Sequence, residues 1–414
     1  MAKKLIIIFI TLTAVEFYNL AFLGPNFAKI LQVAGIGLLL GILIIQTVYQ
    51  KQIDFPKNFS WGVFLIFLGV ALSMLMAKAG HDQAFQITLI AQRFMYYYIA
   101  YWVLHSIKFS IEDLERIILW MGITFSILYI IQFIVYPTVV FDVRIAEDRG
   151  TVRIFLSGFL FLSIAYFLTL SKIFREFSFF RLFSLTLFLS IFILMGTRQI
   201  IFSILLLTIM YVLFSKAVKS RVIILFLMGI ATIPILVLFQ DIFLSLLDLS
   251  KSQSETIAEN VRLRAAVFFL TEFFPNNLAY ITGNGADSTN SYYGFMVQMY
   301  KDAYGFYQSD IGLVGDYTKF GAAFVIGAFY ILFKIIFGRL SPNNSYIRYL
   351  FLSIILTLFT GGGPFAQSDS IIAICFLMYI LDVDKYDRDV LEYEKLNAEE
   401  EEEEETLILT TQTR

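Results

Sequence analysis

Six arginines fall in breaks between long apolar runs: Arg144, Arg149 and Arg153 in and beside YPTVVFDVRIAEDRG, Arg198 in GTRQ, and Arg262 and Arg264 in ENVRLRAAVFF. A guanidinium is planar and donates two parallel hydrogen bonds to a phosphate, which a lysine cannot match. Three separate segments supplying such groups near helix ends point to an anionic ligand, a phosphate or pyrophosphate. The bland alternative for any one arginine is a local pair with Asp142, Glu147, Asp148 or Glu259. A second cluster lies at 292–307, YYGFMVQMYKDAYGFY, with Tyr292, Tyr293, Phe295, Tyr300, Tyr304, Phe306 and Tyr307. Tyrosine prefers a membrane–water boundary, and its apolar face with a polar rim also matches a sugar ring. Asp310 and Asp316 follow in YQSDIGLVGDYTKFG. Carboxylates at a helix start are stabilised by the helix dipole and can act as a general base. Arg93 and Glu16 lie inside apolar runs. Such charges either serve function or pair internally to fix helix packing.

The elements that must position these groups are membrane helices. Of 414 residues, 58% are hydrophobic and 15% charged, with a mean hydropathy of +0.76, whereas soluble domains carry about 25% charge. The hydrophobic share supplies about twelve stretches of the ~20 residues that cross a bilayer. A soluble enzyme, a disordered chain and a disulfide scaffold are excluded. Cys375 is the single cysteine, and His81 and His105 are the two histidines; no metal, no cofactor and no nucleic acid is expected. Apolar runs fall near 5–23, 28–49, 60–77, 84–106, 117–136, 153–171, 180–196, 200–215, 221–240, 311–337, 346–361 and 370–382. The expected fold is therefore all-α, a polytopic bundle of about twelve transmembrane helices. Its parts are helices 1–9 over 1–240, a large, partly helical outer segment over 241–310, helices 10–12 over 311–382, and an acidic tail over 383–414. With the N-terminus in the cytoplasm, 15 Lys and Arg fall in cytoplasmic segments against 6 in the short outer loops. Both termini are thus expected inside, and the arginine-bearing breaks outside.

Three finer expectations follow. Ser110 with Asp113 three residues on is a capping box, read as opening a short surface helix. GTRQ separates two short runs as a tight hairpin that holds Arg198 at the membrane surface. The glutamate run Glu399 to Glu405 repels itself and is expected to be disordered. That tail also explains the formal charge of −2: from Asp382 onward there are 13 acidic and 4 basic residues, so residues 1–381 carry +7.

Four places together resemble the bacterial O-antigen polymerase and ligase superfamily of GT-C type membrane glycosyltransferases. They are RIAEDRG before a helix, GTRQ at a helix start, VRLRAAVFFLTEFFPNNLAYITGNG with its Arg, Pro and Gly-x-Gly turn, and SDIGLVGDYTKFG at the return into the membrane. The resemblance implies an enzyme of the bacterial cytoplasmic membrane with its active site facing outward. It would join undecaprenyl-pyrophosphate-linked repeat units into surface polysaccharide without a metal. It also implies a lipid-pyrophosphate glycan and membrane lipid as partners, and admits a chain-length regulator as another. By motif, Arg144, Arg198 and Arg262 bind pyrophosphate, with Arg264 and Arg153 as second choices, and Arg198 stabilises the departing charge. Tyr292, Tyr293, Tyr300, Tyr304 and Tyr307 are the glycan candidates. Ligases and many polymerases of the superfamily carry a histidine late in the outer loop. This chain has none there, which favours the polymerase and makes Asp310 the candidate base. The alternatives are the ligase, and a twelve-helix flippase or transporter, which would show two similar halves and midplane charges.

Overall fold

The computed structural model describes residues 2–50, 58–148, 151–216, 218, 221–222, 260–359 and 361–412. Among them the chain is mostly helical. In order it forms α1 (Ala2–Ala14), α2 (Gly24–Gln50), α3 (Ser60–His81), α4 (Phe85–Ala91), α5 (Ile99–Ile107) and α6 (Ile111–Val135). A hairpin of β1 (Ile145–Asp148) and β2 (Thr151–Ile154) follows, then α7 (Phe159–Ile173), α8 (Phe179–Leu194) and α9 (Arg198–Phe214). The remainder is α10 (Val261–Thr271), α11 (Ala279–Thr282), α12 (Tyr292–Tyr304), α13 (Leu313–Phe337), α14 (Ser345–Thr357) and α15 (Ser368–Gln412). Among the described residues four helical stretches are long and apolar enough to cross a membrane: Asn26–Tyr49, Ser60–His81, Ile111–Val135 and Leu313–Phe337. The helices α7, α8, α9 and α14 are apolar but shorter. This is an all-α membrane protein. The expected run at 221–240 lies almost wholly outside the described residues.

Small residues set the closest helix approach. α3 and α13 pack antiparallel, and a Cβ added at Gly62 would crowd the Gly327 carbonyl, while one at Gly327 would crowd that of Gly62. Gly69 meets the backbone of Phe320 and Phe324 in the same way. Such pairs let membrane helices approach to backbone contact where lipid offers no hydrophobic drive. The centre of the bundle is the start of α15, where Ile371 to Leu381 are buried on every side.

Two apolar runs expected as single helices are broken, each at its charge. The first stops at Ala14, and Glu16, Phe17, Tyr18 and Asn19 all take φ between +49° and +57°. A left-handed turn costs about 1–2 kcal/mol per such residue. Polar bonds offset it: the Glu16 carboxylate accepts from Gln32 Nε2 at 2.7 Å and Asn19 Nδ2 at 2.9 Å. Tyr18 Oη donates to the Met121 carbonyl at 2.9 Å, and Ser157 Oγ to Asn19 Oδ1 at 2.7 Å. The second breaks into α4, a 3-10 segment Arg93–Tyr98 and α5. Arg93 Nε donates to Gln32 Oε1 at 2.8 Å. Arg93 and Glu16 are thus joined through the Gln32 amide, not by direct contact.

Other differences have equally local causes. Asp113 N does donate to Ser110 Oγ, but the cap opens the 25-residue α6, not a short surface helix. Residues 137–152, expected as a loop, hold β1 and the start of β2 of an antiparallel hairpin that runs on to Ile154, with Ala146 opposite Arg153. The acidic tail, expected to be disordered, continues α15 to Gln412. Glutamate has good helix propensity, and extending an existing helix avoids the cost of nucleation.

At one end of the bundle, α10, α11 and α12 form a module with its own small core of Ala265, Phe269, Phe273, Tyr293, Val297, Phe306 and Ile311. It docks into a break in α13. There Gly321 takes φ +73°, outside the helical range. The carbonyls of Thr318 and Lys319 then accept from Asn284 N at 2.9 Å and Gly285 N at 2.8 Å. A Cβ at Gly283 would strike the backbone of Lys319 and Gly321, and one at Gly321 that of Ile281 to Gly283. The Gly-x-Gly turn and the late glycine of the next helix, quoted above from separate motifs, are therefore one joint.

Candidate functional site

A cavity of about 900 Å³ opens at that same end. Its lining draws Arg153 from β2, Arg198 from the first turn of α9 and Arg262 from the first turn of α10. Each is placed by a local device. The hairpin register sets Arg153 opposite Ala146, on the face shared with Arg144 and Phe155. Gly196, at φ +59°, turns the chain between α8 and α9. Gln199 Nε2 donates to the Leu356 carbonyl at 2.7 Å and pins the start of α9 to the end of α14. Asn260 caps α10, its side chain accepting from Arg262 N at 3.0 Å.

The rest of the described wall is neutral. Phe159, Leu160 and Ser163 come from α7; Ser353, Ile354 and Thr357 come from α14; Gly361, Gly362 and Gln367 come from the loop before α15. Ser203 lines the cavity from α9, and its Oγ is buried without a hydrogen-bond partner. Among the described residues no carboxylate lines the space. The N-terminal ends of α7, α9 and α10 all reach it, and each carries about half a positive charge from its dipole. Among the described residues, three guanidinium groups and three helix starts converge on the cavity, an arrangement that suits an anion by charge and by oriented donors.

The glycine loop is shaped from behind. The space that a Cβ at Gly363 would need is filled by the Asp316 carboxylate. Asp316 is buried, its Oδ2 has no hydrogen-bond partner, and it does not line the cavity. Gly312 packs against the carbonyls of Leu358 and Gly361, so the start of α13 braces the loop that carries Gly361 and Gly362.

The structure gathers some expected residues and separates others. Arg144 does not line the cavity but is tied to its rim, since the guanidinium carbons of Arg144 and Arg153 lie 5.4 and 5.0 Å from the Phe155 ring centre. Arg264 points away, over the Phe306 ring at 5.9 Å. Arg149 lies outside the described residues. Asp310 sits half-buried in a 3-10 turn, Gln308–Ile311, and is not in the lining. The five tyrosines do not form one platform. Tyr293 is 1% exposed and stacks on His81 at 4.0 Å, and Tyr300 packs on Phe268 at 4.7 Å. Positions 293, 297 and 300 share one face of α12 and fill the module's core. Tyr292, Tyr304 and Tyr307 are exposed, outside the cavity lining. Sequence reasoning missed Ser203, Gln367 and the Gly361–Gly363 loop. Three consecutive glycines before a proline, between two membrane runs, were the available signal.

No protein-family model matches the chain, and no curated protein matches it.

Proposed function

We propose that the protein is an outward-facing glycosyltransferase of a bacterial cytoplasmic membrane, with about twelve crossings and both termini inside. It polymerises undecaprenyl-pyrophosphate-linked repeat units into surface polysaccharide. The observation that carries this reading is the convergence of Arg153, Arg198 and Arg262, from three separate segments, on one cavity. In the reaction an acceptor hydroxyl attacks the anomeric carbon of the donor, and its proton leaves to the departing pyrophosphate or to water. The bond from that carbon to the pyrophosphate oxygen breaks, and negative charge collects on the leaving group. Arginines already in place stabilise that charge with little reorganisation, and losing one such donor costs a factor of about 10²–10³ in rate. The apolar lining of Phe159, Leu160, Ile200, Phe202, Ile204 and Ile354 suits the first units of the lipid, with the neutral polar groups left for hydroxyls. Arg144, at the rim, helps to attract the anion.

The test is deletion of the gene followed by gel analysis of glycan length. Single repeat units on the lipid carrier, without long chains, support the polymerase. Intact polymer retained on the carrier identifies a ligase instead, and absence of repeat units outside the membrane identifies a flippase.

A further inference from the structure

The outer segment reads from sequence as partly helical, and in the structure α10 has two apolar faces. One carries Ala265 and Phe269 and fills the module's core. The other carries Leu263, Val267 and Leu270, which are 54%, 53% and 37% exposed. These three are spaced i, i+4 and i+7, so they form one stripe on the side opposite the packed face. Arg262 and Arg264, both exposed, project to either side of it. A soluble surface helix has one apolar stripe and a polar back. A helix with a packed stripe, an exposed stripe and cations along the margins is built for a boundary between protein, hydrocarbon and lipid headgroups.

Its position fits that boundary. Pro275, just beyond α10, packs on Gly80 at the end of α3, and the 3-10 turn leading into α13 packs against α10. α3 and α13 are two of the helices long enough to span, and they meet α10 at the ends that close the span. Leu278, just before α11, and Ile281 within it are also exposed, at 57% and 59%.

We infer that α10 lies in the membrane leaflet on the cavity side, with Leu263, Val267 and Leu270 in the upper acyl region and Arg262 and Arg264 among lipid phosphates. The occupant of this face is bilayer phospholipid. The inference goes beyond the catalytic reading and does not need it. Its consequence is that Arg262, which lines the cavity, stands at headgroup level, so the cavity is open to an anionic lipid arriving from the side.

The experiment uses the full-length chain with Val267→Cys labelled by a polarity-sensitive fluorophore; the native Cys375 is buried. The protein is reconstituted in vesicles of phosphatidylethanolamine and phosphatidylglycerol. Quenching is compared between lipid carrying a nitroxide high on its acyl chain and iodide in the water. Asp302→Cys, at an exposed polar site on α12, is the aqueous reference, and Leu263→Cys repeats the stripe measurement. The inference expects blue-shifted emission at 267 and 263, and lipid quenching several-fold above that at 302. Quenching by iodide to the level of position 302 overturns it. Protection from both quenchers also overturns it, because the stripe would then be covered by protein.

Discussion

Replacing Gly321 with alanine should detach the α10–α12 module from the bundle. Gly321 has φ +73° and ψ −169°, a region held almost only by glycine, where a side chain costs about 1–3 kcal/mol. The new Cβ would also occupy the space of the Ile281 carbonyl and the Gly283 amide. Relief requires the 281–285 segment to withdraw. That movement breaks Asn284 N to Thr318 O at 2.9 Å, Gly285 N to Lys319 O at 2.8 Å and Asn284 Nδ2 to Thr318 O at 3.1 Å. At ~0.5–1.5 kcal/mol for each bond, with the strain of ~1–3 kcal/mol, the loss comes to roughly 2.5–7.5 kcal/mol. SDS titration of the purified full-length protein measures it. Gly283→Ala strikes the same joint, at φ +73°, and would break the same three bonds. The double variant should therefore fall short of the sum of the singles by roughly the bonds' share, ~1.5–4.5 kcal/mol. A loss below ~1 kcal/mol for Gly321→Ala, smaller than the least strain expected there, or full additivity in the double variant, would refute the reasoning.

Three further outcomes are expected. Gln32→Leu removes the amide between Glu16 and Arg93; with hydrogen bonds to charged groups contributing ~1.5–3 kcal/mol each, the variant should lose at least ~2 kcal/mol in the same SDS titration, and an unchanged midpoint would show that the bridge holds nothing. Gly363→Ala should push the glycine loop off the Asp316 carboxylate and lower polysaccharide yield, and adding Asp316→Ala should restore part of it; no rescue would place the defect elsewhere. Asp310→Asn should keep chain elongation, since Asp310 is outside the cavity lining, whereas Arg198→Glu should end it with membrane insertion intact; glycan gels of the two strains decide, and loss of long chains in Asp310→Asn would return that carboxylate to the mechanism.

Much of the fold was legible because hydrocarbon demands long apolar runs with internally paired backbone. The runs at 28–49, 60–77 and 311–337 match α2, α3 and α13 closely. The reading failed where one charge outweighed twenty apolar neighbours: Glu16 and Arg93 end their helices to reach Gln32, a partner distant in sequence. The hairpin at 145–154 was hidden because four-residue strands carry little periodic signal. At the site, the arginines could be singled out by their position near helix ends, but which of them meet could not. Arg262 and Arg264 are two residues apart on α10 and so face different ways, one into the cavity and one over Phe306. The tyrosine cluster misled because composition does not say which side of a helix is buried; spacing does, and 293, 297 and 300 share the face that packs. Asp316 and Gly363 act together only through a contact across 47 positions, which no local pattern announces.

Arg153, Arg198 and Arg262 are proposed to form one pyrophosphate site. The direct measurement is titration of the purified protein, in detergent, with a short polyprenyl pyrophosphate and with the corresponding monophosphate, followed by the shift in thermal unfolding at low and high salt. The wild type should be stabilised more by the pyrophosphate than by the monophosphate, and less so as salt screens the charges. Arg198→Glu and Arg262→Glu should each abolish the shift, and Arg264→Glu should leave most of it. Equal stabilisation of the wild type and of Arg198→Glu, or a response to pyrophosphate that depends on Arg264 instead, would contradict the claim.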